Sequence, residues 1–241
     1  MTSWEFPAEG PVEARIRIAS GTVAVTAATT ETVTVEIHGS RRHGRDPDTL
    51  PTVEYQAGQL TITGPEPSRL LRQTPGFEVA VTVPRGSRCV IDSASADIHC
   101  SGELARLSAT TASGDVAAEH VTDKCDVTTA SGDVWLDTSG PAWLKTVSGD
   151  VRVEHAQAGV NCQTVSGDVK LSAVASGEIS VKTTSGDIVV AVAADTGVQL
   201  DLYTLTGDAS SDLEPEGQAG AADATVSLRS ISGDVAVRKV A

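Results

Sequence analysis

Eight aspartates recur along the chain at nearly equal steps: Asp97, Asp115, Asp133, Asp150, Asp168, Asp187, Asp208 and Asp234. The steps are 18, 18, 17, 18, 19, 21 and 26 residues. All but the first follow a glycine: Gly114, Gly132, Gly149, Gly167, Gly186, Gly207 and Gly233. Most of these pairs stand in Ser-Gly-Asp-Val or Ser-Gly-Asp-Ile. A row of carboxylates repels itself and would welcome a cation, so calcium ligation is the first chemistry to weigh. Calcium-binding β-rolls repeat about every nine residues in glycine-rich turns, and this chain does not. The alternative is structural. Glycine supplies the positive φ of a tight corner, and aspartate accepts backbone N–H bonds within the turn. The spacing favours the corner, and no metal or cofactor is assigned.

The other reactive side chains give less. Cys89, Cys100, Cys125 and Cys162 include no Cys-x-x-Cys pair, so they do not make a zinc knuckle. They fall in apolar positions and read as small buried fillers. His38, His43, His99, His120 and His155 form no Ser/His/Asp or His-x-x-x-His arrangement. There is no Gly-x-Ser-x-Gly elbow, Walker loop or dinucleotide fingerprint. The expectation is a protein that is not an enzyme. Trp135, Trp143 and Tyr203 fall at outward or turn positions in a chain with only 3% aromatics, and they are the candidates for an interaction face.

The elements that place these residues emerge when the copies are aligned. One position after each Asp stand Ile98, Val116, Val134, Val151, Val169, Ile188, Ala209 and Val235, and the column two further on is also mostly apolar. Four positions before each Ser (Thr in the copy at 206) stand Ile91, Ala109, Val127, Leu144, Cys162, Val181, Leu202 and Leu228. Two positions before it runs a hydroxyl column: Ser93, Thr111, Thr129, Thr146, Thr164, Thr183, Thr204 and Ser230. Alternation of this kind puts one strand into each Ser-Gly-Asp and one strand out of it. Column identity favours stacking over a meander, sandwich or propeller. The fold expected is an all-β, single-stranded β-solenoid of about 18 residues per coil, taken as right-handed.

Upstream, Val12–Ile18, Thr32–Ile37, Val53–Tyr55, Gln59–Thr63 and Phe77–Val83 alternate as strands do. Ser20-Gly21-Thr22-Val23 is an early copy of the repeat. Residues 1–88 are therefore expected to be irregular opening coils and 89–241 the regular repeats of one continuous domain; a separate N-terminal cap is the alternative. Loops are expected at Gly39–Asp48, Pro65–Gly76 and Leu213–Ala222.

The chain has 241 residues and a net charge of −14. No basic stripe is visible to neutralise phosphate, so nucleic acid is not an expected partner, and anionic membranes are disfavoured for the same reason. No run approaches the roughly 20 apolar residues that span a bilayer, and Met1–Gly10 does not read as a signal peptide. A soluble, cytoplasmic protein is expected.

Serial Thr-x-Ser-Gly-Asp-(Val/Ile)-x-(Val/Leu) copies over Cys89–Val237 resemble a bacterial β-strand-repeat family known as "putative adhesin" domains, a family of unknown function. The resemblance implies a β-solenoid with no established catalysis and no agreed ligand. The function expected is a non-enzymatic interaction or scaffold module with a protein partner. A carbohydrate-binding or carbohydrate-active β-helix and a self-assembling protein, joined through its end coils, are the alternatives.

Overall fold

The computed structural model describes residues 2–39, 50–65, 76–193, 196–213 and 224–240. The loops expected at Gly39–Asp48, Pro65–Gly76 and Leu213–Ala222 lie almost wholly outside these. Every regular element among the described residues is a strand, so none forms a helix able to cross a membrane. The chain forms two compact units, Met1–Val121 and Thr122–Ala241.

In the first unit, β2 (Glu13–Ala28) is a complete copy of the repeat. It pairs in parallel with β7 (Arg88–Thr110), and the register sets Ser20 beside Ser95, Thr22 beside Asp97 and Val23 beside Ile98. The sequence likeness of that early copy is therefore a spatial one. The opposite edge of β2 carries β5 (Gln59–Thr63) and β6 (Phe77–Pro84), also in parallel. Beyond them the pattern changes. β3 (Thr32–Gly39) runs antiparallel to β6, β1 (Thr2–Pro7) antiparallel to β3, and β4 (Thr52–Gln56) antiparallel to β5. Thus β2, β5 and β6 run parallel to one another, whereas β1, β3 and β4 are antiparallel additions. Alternation hides this difference, because strands of both directions alternate alike.

β8 (Val116–Thr128) runs from the first unit into the second. The second unit has two rows of parallel strands. One row, on the side entering each Ser-Gly-Asp, is the end of β8, β10 (Ala142–Lys145), β12 (Val160–Gln163), β14 (Gly177–Lys182), β18 (Ala224–Ser232) and β16 (Val198–Thr206). The other, leaving it, is β9 (Val134–Ser139), β11 (Val151–Ala156), β13 (Val169–Val174), β15 (Ile188–Val192), β19 (Val235–Lys239) and β17 (Ala209–Ser211). Partners are one repeat apart, as Val151 with Val169 and Val160 with Ile179. That parallel, repeat-spaced register is solenoid-like.

The stacking order departs from the sequence order at one place. The steps of 21 and 26 residues read as insertions alone, but the copy at Ser232-Gly233-Asp234 lies between those at Asp187 and Asp208. β16 and β17 are left as the outer strands of their rows.

The inward columns form a thin aliphatic core. Val134, Leu136, Val151, Val153, Val169, Leu171, Ile188, Val190, Val235 and Val237 are at most 1% exposed. Each fully buried aliphatic side chain contributes about 1.5–3 kcal/mol relative to exposure. On the entering row the inward columns of β18, Ala224, Val226 and Leu228, are as well covered, but in β16 their neighbours Val198, Leu200 and Leu202 are only half-buried, because that strand has one neighbour among the described residues.

Candidate interaction surface

The aspartate row is the feature nearest to chemistry, and its carboxylates are already engaged. The amide of Asp150 donates to Oδ1 of Asp133 at 2.8 Å, that of Asp168 to Asp150 at 2.9 Å, and that of Asp187 to Asp168 at 2.8 Å. The row continues from Asp234 to Asp187 at 2.8 Å and from Asp208 to Asp234 at 2.9 Å. In the first unit Asp115 donates to Asp97 at 3.2 Å. The carboxylates of Asp97, Asp133, Asp150, Asp168, Asp187 and Asp234 thus accept from a neighbouring copy rather than within their own turns, which corrects the expectation for these six. Backbone bonds complete the link: Val151 donates to the carbonyl of Asp168 and Val169 to that of Asp187, both at 2.9 Å. The arrangement is a charge-assisted clip that fixes register. Among the described residues no group of three or more His, Cys, Asp or Glu could hold a metal ion.

The glycines have a second role beyond the turn. Gly186 has a φ of +140°, as expected. Gly114 has no such φ, yet a Cβ there would lie 1.9 Å from the Ala96 carbonyl oxygen. Close approach of neighbouring copies is the shared requirement.

The hydroxyl column is buried, with Thr129, Thr146, Thr164 and Thr183 at most 6% exposed. Thr183 donates to the Ser185 carbonyl at 3.2 Å and Thr204 to that of Gly233 at 2.9 Å. The hydroxyls of Thr129, Thr146 and Thr164 have no hydrogen-bond partner among the described residues.

All four cysteines are buried and none is in a disulfide. Burial pushes the thiols of Cys100 and Cys162 up to about 12. The Cys89 thiol is raised as well, by burial first and by its neighbour Cys100 second.

The aromatic residues do not form one face. Trp143 and Tyr203 lie on the entering row and Trp135 on the leaving row. Lys124 sits 4.6 Å over the Trp143 ring and pairs with Asp126 at 3.1 Å, so Trp143 is a cation–π partner within its own unit. Trp135 stands beside Arg152, and Tyr203 beside Arg229.

A row that the column alignment omitted is more exposed. In the second unit the residue just before the Ser (or Thr206) is a large aliphatic in four of six copies: Val147, Val165, Ile231 and Leu205 are 45%, 49%, 52% and 67% exposed, and Ala130 and Thr184 hold the other two places. Backbone bonds from Ser166 to Val147, from Ser185 to Val165 and from Ser232 to Thr184 order the row as Val147, Val165, Thr184 and Ile231, with Leu205 beyond, so Thr184 separates two aliphatic pairs. Two positions upstream runs a partly basic row, Lys145, Gln163, Lys182 and Arg229, ending in Tyr203. Arg229 pairs with Asp201 at 3.1 Å. Lys145 and Lys182 make no ion pair among the described residues.

A shallow groove of about 310 Å³ opens elsewhere on this unit, lined by Asp137, Thr138, His155, Gln157 and four alanines. His155 Nδ1 is 3.5 Å from Asp137 Oδ1. Its lining carries one carboxylate, Asp137, and no Phe, Trp or Tyr.

The profile of one family, Toastrack DUF4097, matches residues 13–238. The chain belongs to the Toastrack DUF4097 family. No curated protein matches it significantly. Among solved structures it is similar to a putative adhesin from Bacteroides fragilis, with 16% identity, a TM-score of 0.61, and coverage of 99% of this chain and 96% of that one. A putative adhesin from Parabacteroides distasonis matches over 99% of this chain and 96% of its own, with 10% identity and a TM-score of 0.44. The first likeness, at such low identity, shows a shared fold. For this Toastrack chain it supports the all-β repeat architecture and assigns no ligand.

Proposed function

We propose that this Toastrack chain is a non-enzymatic interaction or scaffold module that recognises a protein partner through the entering side of its second unit. The observation that carries the proposal is the exposed aliphatic row of Val147, Val165, Ile231 and Leu205 beside Lys145 and Lys182. Contiguous exposed apolar side chains on a soluble domain mark contact surfaces, and flanking cations add orientation. The aspartates lend no competing chemistry, because one oxygen of each carboxylate from Asp133 to Asp187 and of Asp234 is used between copies. A right-handed coil of about 18 residues and a cytoplasmic location belong to the same proposal; four unbridged thiols support the latter.

The test is affinity capture from native lysate with the wild-type chain and with a Val147→Ser/Val165→Ser variant of equal thermal stability. The expected result is a partner retained by the first and lost by the second. Recovery of no partner, or equal recovery by both, refutes the proposal.

A further inference from the structure

The outer strand of the second unit's entering row is β16, Val198–Thr206. It pairs with β18 on one side, and no described residue pairs with its other side. Such an edge is a template for another strand. The usual protections are short length, proline or an inward charge, and β16 has none of them. It is nine residues long, has no proline, and turns Val198, Leu200, Leu202 and Thr204 toward the core side.

The direction of its free backbone groups follows from the pairing. Ala224 lies opposite Val198, and its amide donates to the Gly197 carbonyl at 3.1 Å. In a parallel ladder alternate residues serve alternate neighbours. The odd-numbered residues of β16 therefore bond to β18, while the N–H and C=O of Val198, Leu200, Leu202 and Thr204 point to the open side; at the end of the strand the Thr206 carbonyl instead accepts from the Gly233 amide at 2.9 Å. Leu202 is both the middle of the strand and a residue with outward-pointing groups.

We infer that a second copy of this chain adds its own β16 at this edge, antiparallel, about a two-fold axis normal to the sheet at Leu202. In that register Leu202 faces Leu202 of the other copy and the two exchange both backbone bonds, as a hydrogen-bonded antiparallel pair does. Leu200 then faces Thr204, so the open backbone groups of Leu200, Leu202 and Thr204 each meet a like-placed partner. The core-side residues of both copies lie on the same side, and the half-buried Leu200 and Leu202 gain the cover that their columns have in inner strands. On the outer side Asp201 faces Tyr203 and Gln199 faces Leu205, with no like charges opposed. A two-fold contact is self-complementary by construction and closes at two copies. Leu205 alone belongs both to this edge and to the aliphatic row assigned to the partner; Val147 and Val165, whose substitution tests the partner, lie outside the edge, so either proposal can fail without the other.

The experiment is the mass of the full chain by light scattering across a wide concentration range up to near-millimolar, with amide exchange of residues 198–206. The expected result is a concentration-dependent dimer in which the amides of Leu200, Leu202 and Thr204, which β18 does not use, are protected only on association. Tyr203→Asp opposes two carboxylates across each half of the pair and is expected to weaken association about tenfold. Asp201→Lys added to Tyr203→Asp is expected to restore it. Leu202→Pro removes an amide that β18 does not use, so it is expected to abolish association. A monomer at all concentrations overturns the inference, as do open-ended polymers, a dimer indifferent to these substitutions, or protection of those three amides in the monomer by a segment of the same chain.

Discussion

Gly186→Ala tests whether close approach of copies, rather than the carboxylate row, holds the second unit in register. A Cβ on Gly186 would lie 2.3 Å from the Gly167 carbonyl oxygen and 2.8 Å from its carbon. Both atoms are backbone and cannot swing aside, so the two copies must separate by roughly an ångström to reach ordinary contact. Separation strains the Gly167-to-Ser185 bond of 3.1 Å and the Asp187-to-Asp168 bond of 2.8 Å. The φ of +140° adds a backbone penalty. Overpacking costs about 1–3 kcal/mol, the backbone about 1–3, and each weakened bond up to about 1. The sum is about 3–6 kcal/mol, or roughly 10–20 °C in Tm.

The assay is urea and thermal unfolding followed by far-ultraviolet circular dichroism. Asp187→Ala is the paired control, because it removes the carboxylate that Asp234 donates to and adds no atom. Its expected cost is about 1–2 kcal/mol. Position alone does not demand glycine: Ala96 stands at the equivalent place, fully buried, where β7 passes the corner as a continuous strand and φ is not positive. A Gly186→Ala variant within about 1 kcal/mol of wild type, or less damaged than Asp187→Ala, refutes the reasoning.

Three further outcomes are expected. Thr164→Val replaces a buried hydroxyl that has no partner and is expected to stabilise by about 1 kcal/mol; a loss in urea unfolding would show the hydroxyl to be bonded. Cys100 and Cys162, with thiols raised to about 12, are expected to resist a thiol reagent at pH 8 in the native state and to react at once in denaturant; prompt native reaction would contradict their burial. Arg85 and Glu103 form an exposed hydrogen-bonded ion pair that lowers the Glu103 carboxyl and raises Arg85. A lowered carboxylate stabilises above its unfolded value and loses that contribution as pH falls through its folded value. Glu103→Gln is therefore expected to matter little near neutrality and less still in salt or at acid pH, which thermal melts across pH would check.

The core and the repeat were legible because both rest on period. Inward columns of Val, Leu and Ile could be aligned by counting from each Asp, and the parallel register follows that count, Val153 beside Leu171 and Cys162 beside Val181. Even Ser20–Val23 was legible as a copy. The partner of each Asp was not, since residue type says that a carboxylate will accept a bond but not from which chain segment. The exposed aliphatic row was missed although its signal was present: the residue before the Ser (or Thr206) changes from Ala94, Ala112 and Ala130 to Val147, Val165, Leu205 and Ile231, with Thr184 the one later exception. An outward column that turns aliphatic marks a surface, and only inward columns were scrutinised for apolar content.

The stacking order was hidden for a deeper reason. A column that makes every copy a good neighbour for the next also makes it a good neighbour for any other. Val226 packs as well beside Ile179 as beside Leu200, and it does both. What decides is the chain between copies, and the two units use it alike: β2 lies between β6 and β7, and β18 between β14 and β16. The contacts that result join distant residues, 75 apart from Arg17 to Asp92 and 47 apart from Asp187 to Asp234. A simple repeat array has only neighbouring contacts, and its copies can form or fray one at a time. Here a copy with both edges paired is held by segments before and after it, so local opening of one copy must disturb pairings made by another. The edge left over, β16, is tethered by chain on both sides while its strand face stays open. That is where an added strand gains most, because it completes a sheet whose geometry is already fixed.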